Sequence, residues 1–205
     1  MASFRKALQA GATGLEFDIR RCGDGRLVVI HDDTVDRTTT GRGRVRDLHH
    51  DELRLLDAGS GECIPLLTDV LDEFGRRCLL NIEMKDDGLA SDVEKLVRER
   101  DLQRDVIVAA FHWEELRAFS PEIPIALLSS TLDNMISTAQ QFGARAIQPR
   151  HDRVTKGLVT AAHGERLQVY VWTVNDIDQA VRLRDMGVDG IITDVPEQLA
   201  TLSGD

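Results

Sequence analysis

"RDMGVDGIITD", residues 184–194, closes a helix-patterned run, turns at Gly187, passes two spacers and a small residue, and enters an apolar run that ends on an acid. "AQQFGARAIQP" (139–149) and "ALQAGATGLEFD" (7–18) show the same order around Gly143 and Gly11. Glycine suits the left-handed position that ends a helix, and a chain so turned reaches its next strand within about four residues. The recurring stretch marks a helix-to-strand unit used several times.

Working outward, strands are expected near residues 15–19, 79–84, 106–110, 125–128, 146–148, 169–174 and 190–193. Helices are expected near 3–10, 68–76, 90–100, 113–119, 132–142, 155–163, 177–186 and 197–202. This alternation predicts a parallel sheet wrapped in helices. At 205 residues, with no Pro- or Ser-rich linker, the chain is expected to form one domain, 1–205. An eight-stranded α/β barrel typically needs about 250 residues, whereas seven parallel strands preceded by a helix are counted here. The expected fold class is α/β, a TIM-type (β/α)8 barrel lacking its first strand, with that strand expected before Met1.

One segment departs from the series. Only eight residues separate Asp18 from Leu27, and a parallel crossover requires about a dozen or more. An antiparallel β-hairpin excursion at about residues 16–32 is therefore expected. A two-residue Asp24-Gly25 turn would set Asp18 opposite His31 and place Glu16, Asp18 and His31 on one face. A three-residue loop would slip the register by one and send His31 to the other face.

The strand C-terminal ends of such a barrel form its catalytic face. Glu16 and Asp18 lie at one such end, and "NIEMK" (81–85) ends another with Glu83 and Lys85, two apart and so directed alike. Read blandly, these are a solvated acidic edge and a rim ion pair. Read together, Glu16, Asp18 and Glu83 form an all-oxygen set suited to a hard cation such as Mg²⁺ or Ca²⁺. Trp172, near another strand end, either packs in the core or lines a ligand pocket. Asp194, ahead of Val195 and Pro196, is expected to cap the last helix. "TTTGRGR" (38–44) resembles a phosphate cradle only weakly, because no clear helix follows it.

Composition narrows the partners. Hydrophobic residues at 42% and charged residues at 29% describe a packed globular protein. A formal net charge of -10 opposes non-specific binding to nucleic acid or an anionic membrane. Cys22, Cys63 and Cys78 are odd in number and lack metal-ligand spacing, which favours a reducing compartment. No apolar run approaches the roughly 18 residues of a membrane span, so no stable membrane insertion and a cytoplasmic location are expected.

Taken in order, "FRKALQAGATGLEFDI" (4–19), "DGRLVVIHDDTVDRTT" (24–39), "IPLLTDVLDEF" (64–74), "NIEMK" (81–85), "VWTVND" (171–176) and "GVDGIITDVPE" (187–197) resemble the glycerophosphodiester phosphodiesterase family nearly end to end. The resemblance implies a TIM-type barrel and metal-dependent hydrolysis of a small-molecule glycerophosphodiester to glycerol 3-phosphate and an alcohol. By position it implies Glu16, Asp18 and Glu83 as ligands of Mg²⁺ or Ca²⁺, and His31 as one of two catalytic histidines. It also implies Lys85 as a lysine near the phosphate and Trp172 as an aromatic of the substrate pocket. The family's His-Arg-Gly and Pro-Glu-Asn-Thr motifs, which carry the other histidine, have no counterpart in this sequence. Impaired turnover is therefore expected, the alternative being a non-catalytic metal- or phosphate-binding barrel or an incomplete gene fragment.

Overall fold

Alternate residues along each parallel strand meet different surroundings, and that alternation builds the architecture. The computed structural model describes residues 1–203. Its strands are β1 (Gly14–Arg21), β2 (Leu27–Val29), β3 (Leu79–Met84), β4 (Val106–Ala110), β5 (Ile125–Ser129), β6 (Ala146–Pro149), β7 (Gln168–Val171) and β8 (Gly190–Ile191). They form one eight-stranded sheet in the order β2-β1-β3-β4-β5-β6-β7-β8. Every neighbouring pair is parallel except β1 with β2.

One face of the sheet packs into the main apolar core, through residues such as Phe17, Ile82, Val108, Leu127, Ile147 and Val169. Helices α1 (Ala2–Gln9), α2 (His50–Leu53), α3 (Leu67–Phe74), α4 (Ala90–Arg98), α5 (Met135–Phe142), α6 (Lys156–Gly164), α7 (Ile177–Met186) and α8 (Pro196–Leu199) complete the order. On α1, Phe4 sits 5.5 Å from the Phe17 ring and 5.7 Å, edge-on, from that of Phe74, so the first helix is keyed to both β1 and α3. Gly143 and Gly187 end α5 and α7 with φ of 64° and 89°, the left-handed caps that the repeated stretch requires. The helix expected at 113–119 is a 3₁₀ segment, Trp113–Ala118, instead.

The opposite face holds a smaller cluster of Ile107, Ala109, Ala126 and Ala146 against Leu79 and Tyr170. Beside it, the buried Gln148 amide donates to Asn81 Oδ1 at 3.0 Å, a polar tie between β6 and β3. The sheet curls without closing. Among the described residues β8 is paired with β7 alone, and residues 14–17 of β1 are paired with β3 alone. A cleft of about 820 Å³ opens between these two edges, lined by Gly14, Glu16, Asn81, Ile107, Tyr170 and Asp194 among others. No helix is long and apolar enough to cross a membrane among the described residues.

The hairpin exists, with a different register from the one the Asp24-Gly25 turn suggests. Ile19 pairs with Val29, Arg20 with Val28 and Arg21 with Leu27. The loop is therefore three residues, Gly23-Asp24-Gly25, closed by Cys22 N–H donating to Arg26 O and Gly25 N–H donating to Cys22 O, both at 2.9 Å. Gly25 alone takes the left-handed conformation, at φ 87°, with Asp24 at ordinary φ, whereas a type I′ turn requires both. Asp18 is consequently met by Ile30, whose N–H donates to Asp18 O at 3.0 Å, so His31 does not stand opposite Asp18 in the ladder and lies just past the paired strand. Gly25→Ala puts a Cβ into open space, so its cost is conformational alone, about 1 kcal/mol. Thermal unfolding should show a melting temperature lower by about 2–4 °C.

Candidate active site

Parallel register brings the acids together. Asp18 stands opposite Glu83 across the β1–β3 ladder, and Glu16 stands opposite Asn81 two residues earlier. Ligand-capable oxygens of Glu16, Asp18 and Glu83 lie within 4.8 Å of one another. Lys85 continues the same edge: its N–H donates to Ile19 O at 3.1 Å, and its Nζ reaches Asp18 Oδ1 at 3.0 Å and contacts Glu83 Oε1. The three acids and the lysine that the sequence singles out thus form one cluster.

The electrostatics of the cluster fit a cation. Burial, with the charges of Asp18 and Glu83, pushes the Glu16 carboxyl up to about 8. Burial also raises Glu83, although the hydrogen bond and charge of Lys85 oppose it. Burial would lower Lys85, but its bond to Glu83 and the charges of Glu83 and Asp18 leave it raised. Three acidic side chains share one lysine, and an all-oxygen donor set suits a hard divalent ion. A stability test follows. Folded Glu16 keeps its proton to about pH 8, while the unfolded chain loses it near 4.5. The folded state therefore holds the extra proton across that window, and stability falls as pH rises through it. The melting temperature of EDTA-treated protein should decline from pH 5 to 8, added divalent cation should recover it, and Glu16→Gln should flatten the decline.

His31 lies beyond the end of β2, in the loop that follows it. Its positive form favours the Glu83 carboxylate by charge, its Nδ1 lies 2.7 Å from Asp32 Oδ1, and its carbonyl accepts from Arg20 Nε at 2.9 Å. Arg20 also pairs with Asp86 at 2.5 Å, tying the hairpin to the end of β3. The loop carrying His31 rests on a second apolar cluster that includes Val28, Ile30, Val35 and Leu53.

Trp172 neither sinks into the core nor stands alone. Its Nε1 donates to Gln148 O at 2.7 Å, and the half-exposed Phe111 ring meets it edge-on at 5.5 Å. Lys85 Nζ lies 5.8 Å from the Phe111 centroid, so the aromatic pair borders the charged cluster. Sequence reasoning missed Phe111. Its signal is parity, since Phe111 continues the sequence of Ile107 and Ala109, whose side chains leave the main core.

One expectation needs correction. Asp194 does not cap α8, whose first turn receives no side-chain cap; its Oδ2 accepts instead from Asn175 Nδ2 at 2.8 Å. Within "TTTGRGR", polar groups are spent on the loop itself: Thr39 Oγ1 donates to Val35 O, Gly41 N–H donates to Thr39 Oγ1, and Gly43 N–H donates to Asp36 Oδ1. Asp87, His112 and Glu115 also gather within 4.8 Å. Their contacts in the structure are local, with His112 Nδ1 2.9 Å from Asp87 Oδ1 and Glu115 accepting from Gly88 N–H at 2.6 Å.

Comparison with known proteins gives this geometry its setting. Residues 1–198 match the model of the glycerophosphoryl diester phosphodiesterase family. A glycerophosphodiester phosphodiesterase of Caldanaerobacter subterraneus subsp. tengcongensis is 35% identical, with 98% of this chain and 90% of that protein covered. One from Bacillus altitudinis is 33% identical over 97% and 89%. Among solved structures, a glycerophosphodiester phosphodiesterase from Agrobacterium tumefaciens superposes with a TM-score of 0.87 at 28% identity, covering 98% of this chain and 91% of that one. An Oleispira antarctica phosphodiesterase in complex with the product sn-glycerol-3-phosphate has the same TM-score, 0.87, at 27% identity over 98% and 90%. With a curled α/β sheet matching these barrels and a family match across nearly its whole length, the chain belongs to the glycerophosphoryl diester phosphodiesterase family, a family of phosphoric diester hydrolases.

Proposed function

We propose that this chain holds a divalent cation, Mg²⁺ or Ca²⁺, on Glu16, Asp18 and Glu83 and hydrolyses a glycerophosphodiester to glycerol 3-phosphate and an alcohol. The observation that carries the reading is the alignment of Asp18 with Glu83, with Glu16 and Lys85 close by, at the end of two parallel strands. The product complex of the Oleispira relative supports the substrate class. A bound cation supplies charge neutralisation at the phosphate oxygens, which also answers how a chain of net charge -10 receives an anion. Lys85 adds a fixed positive charge beside the same oxygens. Phe111 and Trp172 form an apolar wall along that edge, fit for the carbon atoms of the substrate. His31 acts as one half of a general acid–base pair, moving a proton through Nε2 while Nδ1 faces Asp32.

Slow turnover belongs to the proposal. The cleft between β1 and β8 opens beside Glu16 and Asp194, and water admitted there weakens each charge–charge interaction with the phosphate. Incubating the chain with glycerophosphocholine and Mg²⁺ or Ca²⁺ should release glycerol 3-phosphate slowly, with release stopped by EDTA. Tight cation binding with no product at any enzyme concentration would instead establish the binding-only barrel.

A further inference from the structure

We infer that Arg37 is a positioning residue for His31, acting through Asp32; the inference rests on the reading of His31 as a proton-transfer group. Asp32 is gripped on both oxygens. Arg37 Nε reaches Oδ2 at 2.6 Å and Arg37 Nη2 reaches Oδ1 at 2.9 Å, while His31 Nδ1 meets Oδ1 at 2.7 Å. The two-pronged pair fixes the carboxylate plane, which a single contact leaves free to rotate.

The consequence falls on the imidazole. A carboxylate held in place and kept ionised accepts from Nδ1–H, so the neutral ring carries its proton on Nδ1 and offers the Nε2 lone pair. Arg37, then His31, hold the Asp32 carboxyl well below the usual carboxylate range, so it stays an acceptor throughout the working pH range. The ring side chain is 62% exposed, so the Asp32 bond is what selects between its tautomers. Arg37 itself is placed by a loop tied at Val35, which is fully buried: Val35 N–H donates to Gly43 O at 3.0 Å, and Thr39 N–H donates to Val35 O at 3.1 Å.

A purely structural ion pair is the competing explanation. Arg37 is 65% exposed, and exposed pairs contribute little to stability. Lysine offers a point charge without the planar fork, so Arg37→Lys should behave as a defect rather than a conservative change.

The experiment compares wild-type protein, Arg37→Met, Arg37→Lys, His31→Ala and the double variant His31→Ala/Arg37→Met. The His31 tautomer is read by long-range ¹⁵N–¹H correlation, and turnover of glycerophosphocholine is followed with Mg²⁺. Wild-type His31 should show the Nδ1-protonated tautomer, and both Arg37 variants a mixture. Arg37→Met should lower kcat about tenfold or more, with KM and melting temperature held. In the His31→Ala background the same change should cost nothing further. An unchanged tautomer in Arg37→Met, or an equal loss of kcat in the His31→Ala background, overturns the inference while leaving His31 catalytic. If His31→Ala itself turns over normally, the reading of His31 falls and the inference falls with it. Where turnover is too slow to follow, the tautomer decides alone.

Discussion

Glutamine in place of Glu83 is expected to weaken Mg²⁺ or Ca²⁺ binding by about two orders of magnitude, because affinity at an oxygen site follows the number of ligand charges. Glu83 is the most enclosed of the three acids, at 8% exposed, and sits opposite Asp18 in the ladder. Few waters can replace its oxygen. The substitution keeps the shape of the side chain, so the fold should persist. Removing the carboxylate also releases Lys85 from one of its two acidic contacts. Turnover should fall by about 10³-fold, since cation stabilisation of a phosphoryl centre is worth several kcal/mol and about 1.4 kcal/mol is a factor of ten. Calorimetric titration of the EDTA-stripped protein checks the first figure, and glycerol 3-phosphate release checks the second. Unchanged cation affinity would remove Glu83 from the proposed ligand set.

His31→Ala should separate chemistry from cation binding. Its side chain contacts Asp32 and acts on Glu83 only through charge, without a hydrogen bond to the acidic cluster. Cation affinity should therefore stay within about twofold, while kcat falls by the 10²–10⁴-fold that general acid–base help is typically worth. Equal losses in both quantities would show that His31 organises the cation site instead of transferring a proton.

What could be read from the sequence follows the range of the interactions. Helix ends and strands were legible because Gly143 and Gly187 act locally, through their own φ. Glu83 and Lys85 were legible because a period of two fixes their common direction before any tertiary contact forms. The resemblance to the family supplied the roles of those residues, and the fold it implied agrees with the curled sheet. The hairpin register was misjudged because one dihedral, that of Asp24, chooses between a two- and a three-residue loop, and Asp-Gly accommodates both. Asp194 was misread because a carboxylate before Val-Pro looks like a cap, while Asn175, 19 residues away in sequence, claims it instead. The bidentate grip of Arg37 on Asp32 was invisible for another reason. Residues five apart in a loop have no fixed relative direction until Val35 and Gly43 tie that loop together.

The most direct test of the account is where a cation settles. Crystals soaked in Mn²⁺, a stand-in for Mg²⁺ at oxygen sites, would show the ion by its anomalous signal. The expected result is a peak within about 2.0–2.6 Å of carboxylate oxygens from Glu16, Asp18 and Glu83, lost in Glu83→Gln. A peak at Asp87, His112 and Glu115 instead, or none at the Glu83 cluster under saturating ion, would contradict it.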